Sequence, residues 1–571
     1  MKTMLRTLLA GLFLVIFIAG CLPEQLETSP TIESGSTESA PGPTAEPTAV
    51  PATPTATPAA VKPWWNDTVF YEVFVRSFND SNGDGVGDIQ GLIQKLDYLN
   101  DGDPATTDDL GVTGLWLMPI TQSPSYHGYD VTDYYQVDFE YGTNEDFQQL
   151  MQEAHKRGIK VIIDLVLNHS SAQHPWFVES VKGNPDYTDW YIWEDEDPGY
   201  TGPWGQKVWI KAKNDRYYYA VFWDQMPDLN LENPAVTAEI QNITRFWVEE
   251  LGVDGFRLDA IRHFVEDGPA QENTAATHEW LQAYFQFYKS LDPAMFTVGE
   301  AWTLTPLVLD YVGDEVDIAF EFYLAEAFIT AAKGPLAVAI TKQMQLVLDS
   351  YPKGQYGIFL TNHDQNRVMS QLNDDEVRAK LASTMMLTAP GVPFIYYGEE
   401  LGMTGFKPDE DIRRPMQWTS DSLRVGFTTG FPWRSPAGDY GERSVALQED
   451  DPESLLNHYR TLIHLRNEYP ALRTGEAVLV DAGSPRLYAM LRYTDEQAFL
   501  ILVNVHPKPL AGDDYSLSLP SGPFSAGVQA EGVFGLSDPA APEINASGGF
   551  DAYVPYADIP AQSGVIIRLT P

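Results

Sequence analysis

Eight short apolar runs alternate with helical segments, and this alternation constrains the chain more than any other feature. They are read as strands at 69–78, 114–118, 159–167, 254–259, 296–299, 318–322, 357–360 and 392–397. The 159–167 run is apolar and β-branched without alternation, as a strand buried on both faces must be. Between the runs, Asn144 opens a stripe of Phe147, Leu150, Met151 and Ala154 that ends at Gly158. Asn233 and Pro234 open another, of Val236, Ile240, Ile243 and Trp247, ending at Gly252. These are helix periods with Asn caps, one with proline at the first helical position. Strand–helix–strand units in series imply a parallel sheet, and eight of them imply an α/β fold, a closed (β/α)8 TIM barrel.

The alternation breaks twice. Residues 168–233 are rich in Trp and Tyr and read as a domain inserted after the third strand. The barrel would then comprise 63–167 and 234–470. Residues 471–571 carry short alternating strands at 486–493, 498–505 and 564–569 between Gly and Pro turns, the pattern of an antiparallel β domain.

The first residues belong to neither part. Residues 1–20 have Lys2 and Arg6 ahead of an apolar run at 8–18, a secretion signal too short for a membrane span. The signal ends in Ile18-Ala19-Gly20-Cys21, which resembles the bacterial lipoprotein box, so Cys21 is expected to carry a lipid. Because Cys21 is the only cysteine of the 571 residues, the chain has no internal disulfide. Residues 21–62, rich in Pro, Thr and Ser, cannot bury a core and read as a disordered tether. The charge balance, 80 acidic against 36 basic residues, repels nucleic acid and anionic membrane surfaces. Contact with a membrane is therefore expected only through the lipid.

Two stretches carry candidate chemistry. In Gly255-Phe256-Arg257-Leu258-Asp259, Arg257 and Asp259 are two apart on a strand and share a face. A guanidinium there keeps the carboxylate ionised, as a nucleophile requires, although an isolated Arg-x-Asp is more often a structural ion pair. In the 80–88 loop, Asp80, Asn82, Asp84, the Val86 carbonyl and Asp88 place oxygens at alternate positions. Glycines between them let the backbone wrap a hard cation such as Ca²⁺. The loop resembles the start of an EF-hand but lacks its twelfth-position glutamate, and a plain Asp/Asn/Gly turn is the other reading.

Around these stretches the strand ends carry Asp164-Leu165-Val166-Leu167-Asn168-His169, Gly255 to His263, and Val298-Gly299-Glu300-Ala301-Trp302. Further on come Phe359-Leu360-Thr361-Asn362-His363-Asp364, with Met226-Pro227-Asp228-Leu229-Asn230 near the end of the insertion. Tyr126-His127-Gly128-Tyr129-Asp130 and Gly398-Glu399-Glu400-Leu401-Gly402-Met403 complete the set. In this order the motifs resemble the α-amylase family, glycoside hydrolase family 13, over about residues 64–466. The resemblance implies a retaining glycosidase acting on α-glucans, with Asp259 as nucleophile, Glu300 as acid/base and Asp364 as the carboxylate that favours the distorted sugar. It further implies sugar contacts from His127, Tyr129, His169, Arg257, His263, Trp302, His363 and Arg367. The 80–88 loop matches the calcium loop of oligo-1,6-glucosidase-like members, and Asn168 a second calcium site.

Within the family, Ala260 follows the nucleophile where α-1,6-specific relatives typically carry Val. The Met-Pro-Asp-Leu-Asn motif resembles intermediary, neopullulanase-like members, and His263 is similar to α-amylases. The expected activity is thus a lipid-anchored, extracytoplasmic α-amylase cleaving α-1,4 bonds of starch and maltooligosaccharides. An exo-α-glucosidase, a neopullulanase, a 4-α-glucanotransferase and a non-catalytic glucan-binding protein are the alternatives. Oligomeric state is not legible.

Overall fold

The computed structural model describes residues 63–570. The signal segment, the tether and Cys21 lie outside the described residues. Eight strands close a parallel barrel in chain order. They are β1 (Phe70–Val73), β2 (Gly114–Leu117), β3 (Lys160–Leu165), β4 (Gly255–Leu258), β5 (Phe296–Gly299), β6 (Ile318–Phe320), β7 (Tyr356–Ile358) and β8 (Val392–Tyr396), with β8 pairing back onto β1. Every strand residue except Lys160 is buried, which is why these segments read as unbroken apolar runs.

The covering helices start on side-chain caps. In α1 (Asn144–Lys156) the cap is Thr143 rather than Asn144, since Thr143 Oγ1 accepts from Asp146 N and Asp146 Oδ2 accepts back from Thr143 N. Asn144 instead accepts from Val137 N at 2.9 Å, fastening the helix to the preceding hairpin. In α2 (Pro234–Arg245) Asn233 Oδ1 accepts from Ala235 N at 2.9 Å, and Val236, Ile240 and Ile243 are buried. Gly252, at φ +78°, turns the chain back toward β4 in a conformation that favours glycine.

Several strands are shorter than the apolar runs that contain them. The 69–78 run leaves the barrel at Val73 and forms a helical turn over Val75–Phe78, and the 318–322 run passes directly into α3 (Phe322–Lys333). Val75, Phe78 and Phe322 remain buried after the turn, so hydrophobicity alone does not mark where a strand ends.

Aromatic rings fill the barrel interior. Phe70 stacks on Phe394 with centroids 4.7 Å apart and on Phe296 at 5.4 Å, while Trp116 lies 5.4 Å from Phe320. Gly114 makes room, since a Cβ there would stand 2.5 Å from the Phe70 ring. Trp65, 5.5 Å from Phe296, covers the end from which the strands start, and Trp64 donates to Ala294 O at 2.8 Å. The barrel is thus a packed plug with its usable face at the strands' C-terminal ends.

Between β3 and α2 the chain forms a separate lobe, with a helix at Pro175–Val181 and a three-stranded antiparallel sheet packed on Val208, Trp209, Tyr219 and Val221. Beyond the barrel, β9 (Glu476–Leu479), β10 (Leu487–Tyr493), β11 (Ala498–Asn504), β12 (Gln529–Phe534) and β13 (Ser563–Thr570) form an antiparallel sheet in the order β9-β10-β11-β13-β12. Its inner face has its own core, including Leu491, Leu500, Leu502 and Ile567. No helix among the described residues is long and apolar enough to cross a membrane.

Candidate active site

Parallel register sets Arg257 of β4 level with Asp164 of β3 on one side and Val298 of β5 on the other. One step beyond these strands the chain presents Asp259 and Glu300. Arg257 is fully buried, and its guanidinium joins three carboxyls. Nη1 donates to Asp164 Oδ1 at 2.8 Å and to Asp259 Oδ1 at 2.6 Å, and Nη2 donates to Glu300 Oε2 at 2.7 Å. Its underside faces Trp116, 5.3 Å away at the top of the aromatic plug. Buried carboxylates are costly unless paired, and this guanidinium is the pairing.

The opposite side of the cluster is built around His363. Its Nδ1 lies 2.5 Å from Glu72 Oε1, and its Nε2 lies 2.6 Å from the Tyr129 hydroxyl and 3.1 Å from Asp364 Oδ2. Tyr129 donates onward to Asp164 Oδ2 at 3.0 Å. Arg413 reaches in from a distant loop, donating to Asp364 Oδ1 at 2.9 Å and to His363 O at 3.0 Å.

These contacts separate the acids. Burial raises Glu300, Arg257 opposes that shift, and the neighbouring Asp259 and Asp364 add to it. Burial likewise lifts Asp164 to about 7. Asp364 moves the other way: burial acts against ionisation but is outweighed by His363 and Arg413, which hold the carboxyl well below the usual range. Burial opposes charge on His363, yet Asp364 and Glu72 lift it to about 9, so it is a cation at neutral pH. A carboxyl whose hold on its proton is strengthened, Glu300, therefore shares the cluster with one held firmly ionised, Asp364.

The other candidate residues divide. His169 is buried, its Nε2 has no hydrogen-bond partner, and burial lowers it to about 4, leaving a neutral imidazole free to meet a hydroxyl. His127 accepts from Tyr129 N through Nδ1 at 3.1 Å, and burial lowers its pKa. His263 is neutral for the same reason, lowered to about 4, and its Nδ1 donates to Gln271 O at 2.8 Å. Trp302 is 46% exposed and stacks on Phe322 with centroids 4.6 Å apart. Arg367 is a correction. It is buried, donates to Ile412 O and Tyr397 O at 2.8 and 2.7 Å, and lies over the Tyr396 and Tyr397 rings. It braces the rim rather than reaching the cleft.

The expectation did not include Glu72 or Arg413. Glu72 had a signal, a lone acid in an apolar strand. Arg413 had none, since it lies 49 residues from Asp364 in an irregular loop.

The cation candidates are of the hard-oxygen type calcium takes. Asp80 Oδ1 accepts from Asn82 N at 3.1 Å and Gly83 N at 2.7 Å, and Asp80 Oδ2 from Gly85 N at 2.8 Å. Asn82 Oδ1 accepts from Asp84 N, Asp84 Oδ1 from Val86 N, and Asp88 Oδ2 from Ser81 N. The loop thus curls on its own amides, and among the described residues no three His, Cys, Asp or Glu side chains gather as a metal site. Asn168 is the better fit, because its Oδ1 is buried without a partner while Nδ2 donates to the buried Asp228 at 2.9 Å. An orphaned oxygen of that kind is what an adjacent cation would satisfy.

Residues 72–475 match the family model described as the α-amylase catalytic domain. The chain is 39% identical over 452 residues to α-amylase 3 of Dictyoglomus thermophilum, covering 78% of this chain and 86% of that one. It is 33% identical over 538 residues to the trehalose-6-phosphate hydrolase of Bacillus subtilis, covering 79% and 93%. Among solved structures, the α-amylase from H. orenii superposes with a TM-score of 0.75 at 40% identity, over 88% of this chain and 99% of that one.

Proposed function

Since the chain belongs to the α-amylase family of glycoside hydrolases, we propose that it is a lipid-anchored, extracytoplasmic α-amylase hydrolysing α-1,4 bonds of starch and maltooligosaccharides with retention. The observation that carries the reading is the single Arg257 guanidinium spanning Asp259 and Glu300. One guanidinium holding both carboxyls keeps them facing the same cleft, and the reading takes them as the closely set pair of a retaining enzyme.

In this reading Glu300 delivers its proton to the glycosidic oxygen as the C–O bond breaks. Asp259, oriented by the 2.6 Å hydrogen bond from Arg257, forms the new bond to the anomeric carbon. Water then attacks that carbon, its proton passes to Glu300, and Asp259 leaves. Asp364, His363 and His169 would hold the hydroxyls of the distorted ring, with Tyr129 against its apolar face. The preference for α-1,4 bonds rests on Ala260, on the 226–230 motif and on His263. Calcium, proposed at the 80–88 loop and beside Asn168, would be structural, since neither group of ligands is part of the carboxyl cluster. The test is incubation with soluble starch and maltoheptaose followed by product sizing. A ladder of shorter maltooligosaccharides supports the reading. Glucose alone would favour an exo-α-glucosidase, longer chains a glucanotransferase, and no product a glucan-binding protein.

A further inference from the structure

At the closed end of the barrel, where it meets the C-terminal sheet, the chain encloses a cavity of about 190 Å³. One side comes from residues ahead of three barrel strands: Asn66 before β1, Gly354 before β7 and Gly391 before β8. The other side comes from Arg473, in the link to the C-terminal sheet, and from Arg492 of β10. Gly354 has φ +74°, and a Cβ there would stand 3.2 Å from Asn66 Oδ1, so this glycine keeps the wall open.

Two buried arginines meet here without an acid. Arg492 donates through Nη1 to Thr388 O at 2.9 Å and through Nη2 to Arg473 O at 3.2 Å, while its Nε has no partner. Arg466, on the helix Leu455–Glu468, donates to Leu387 O and Ala389 O at 2.8 Å and to Gly391 O at 2.6 Å. Both guanidinia thus spend their N–H groups on carbonyls. Burial lowers Arg492 to about 10, still a cation at neutral pH, and burial and the Arg492 charge lower Arg466 in turn. Like charges set together in a dry wall are costly without a counter-charge.

The acids nearest to them are already engaged at the rim. Glu476 Oε1 lies 2.5 Å from Lys353 Nζ, and Asp67 Oδ1 lies 3.4 Å from Arg473 Nε. Four cations and two acids leave two positive charges over, on a chain with 80 acidic and 36 basic residues. So basic a cavity runs against the field of the rest of the protein. It is smaller than the roughly 300–1,000 Å³ of sites for organic ligands, and suits a small oxyanion with its water.

We propose that this cavity binds a free tetrahedral dianion of the sulfate or phosphate class, held by Arg492, Arg473 and Lys353, which clamps the C-terminal sheet to the base of the barrel. Lys353 and Gly391 belong to barrel loops and Arg492 to the sheet, so an anion between them ties the two parts together. None of these groups is part of the carboxyl cluster. The anion therefore acts on stability and not on cleavage.

The test is titration calorimetry of the full chain with sodium sulfate, at an ionic strength held constant with sodium chloride, and melting at the same concentrations. Sulfate is the probe because phosphate would also withdraw calcium. The wild type is expected to take up one sulfate per chain and to melt about 2–4 °C higher at a hundredfold excess over Kd. Lys353→Met removes a cation and frees Glu476 at the rim. It should weaken sulfate roughly tenfold, the scale of one charge-assisted hydrogen bond, with kcat and KM on maltoheptaose unchanged. Arg492→Met should abolish the uptake, and if that variant does not fold, Lys353→Met decides alone. No saturable uptake by the wild type, or equal sulfate affinity in wild type and Lys353→Met, would overturn the site. A melting gain that never saturates and is equal in both proteins is the general exclusion effect of sulfate, and would overturn it too.

Discussion

Glu72 and His363 sit 2.5 Å apart, carboxylate to imidazole, beneath the cleft and away from solvent. This pair sets the charge of the group that holds Asp364. The folded pKa of His363 is raised, to about 9, so its stabilising contribution is complete below the unfolded value of about 6.5 and is lost as pH rises through about 9. In Glu72→Gln, which removes one of the two carboxylates holding the proton, the alkaline loss should begin at lower pH than in the wild type. Melting temperature followed between pH 6 and 10 for both proteins checks this. Superimposable alkaline limbs would show that Glu72 does not govern the histidine.

Asp259→Asn should remove starch hydrolysis while leaving the fold and glucan binding largely intact. Asn keeps the shape of the side chain but cannot form the glycosyl ester. More than a few per cent of wild-type activity in a contamination-free preparation would exclude Asp259 as nucleophile. Glu300→Gln should be equally severe on starch but partly recovered on aryl glycosides, whose leaving groups need less protonation. Equal impairment on both substrates would count against the acid role.

Arg413→Ala is expected to lower kcat on maltoheptaose by about 10²-fold, the scale of a misplaced positioning group. Arg413 ties the Asp364 carboxylate to the His363 carbonyl. Because Asp364 then loses a cation that holds it ionised, the acid limb of the pH–rate profile should also move to higher pH. A loss of kcat with an unmoved acid limb would mean that Arg413 acts only through the fold.

Calcium should raise the melting temperature, by an amount equivalent to ~4 kcal/mol at a thousandfold excess over Kd, and chelation should reverse the gain. Asp84→Ala tests the 80–88 loop, with melting followed at graded calcium. A variant that kept the full calcium-dependent shift would place the ion elsewhere, with the partnerless Asn168 oxygen as the next site to examine.

Cys21→Ser should release active enzyme into the medium or periplasm, since the barrel begins some distance downstream at Phe70. Fractionation of cells expressing the variant is the measurement. Continued retention in the membrane fraction would refute lipid attachment at Cys21.

The barrel was legible because a strand buried on both faces is an unbroken apolar run, and two of the three candidate carboxyls, Asp259 and Glu300, sit within two residues of such a run's end. The Arg257–Asp259 pairing followed from strand period alone. Features that depend on distant chain segments left no local mark. Arg413 approaches Asp364 from an irregular loop, and Gln271 reaches Thr201 across 70 residues. Arg367 was misread for the related reason that a cation within a motif can serve the scaffold, here by bonding the carbonyls of Tyr397 and Ile412. Strand ends were overrun where apolar residues continued into a buried helical turn, as at Val75 and Phe322.

Trp64 and Trp65 close the end of the barrel where the strands begin, while Asp259, Glu300 and Asp364 open at the other end. The described chain therefore enters the barrel at Pro63 on its closed side. The two tryptophans plug that side, so the three carboxyls can be reached only from the mouth opposite, and the barrel has one working end.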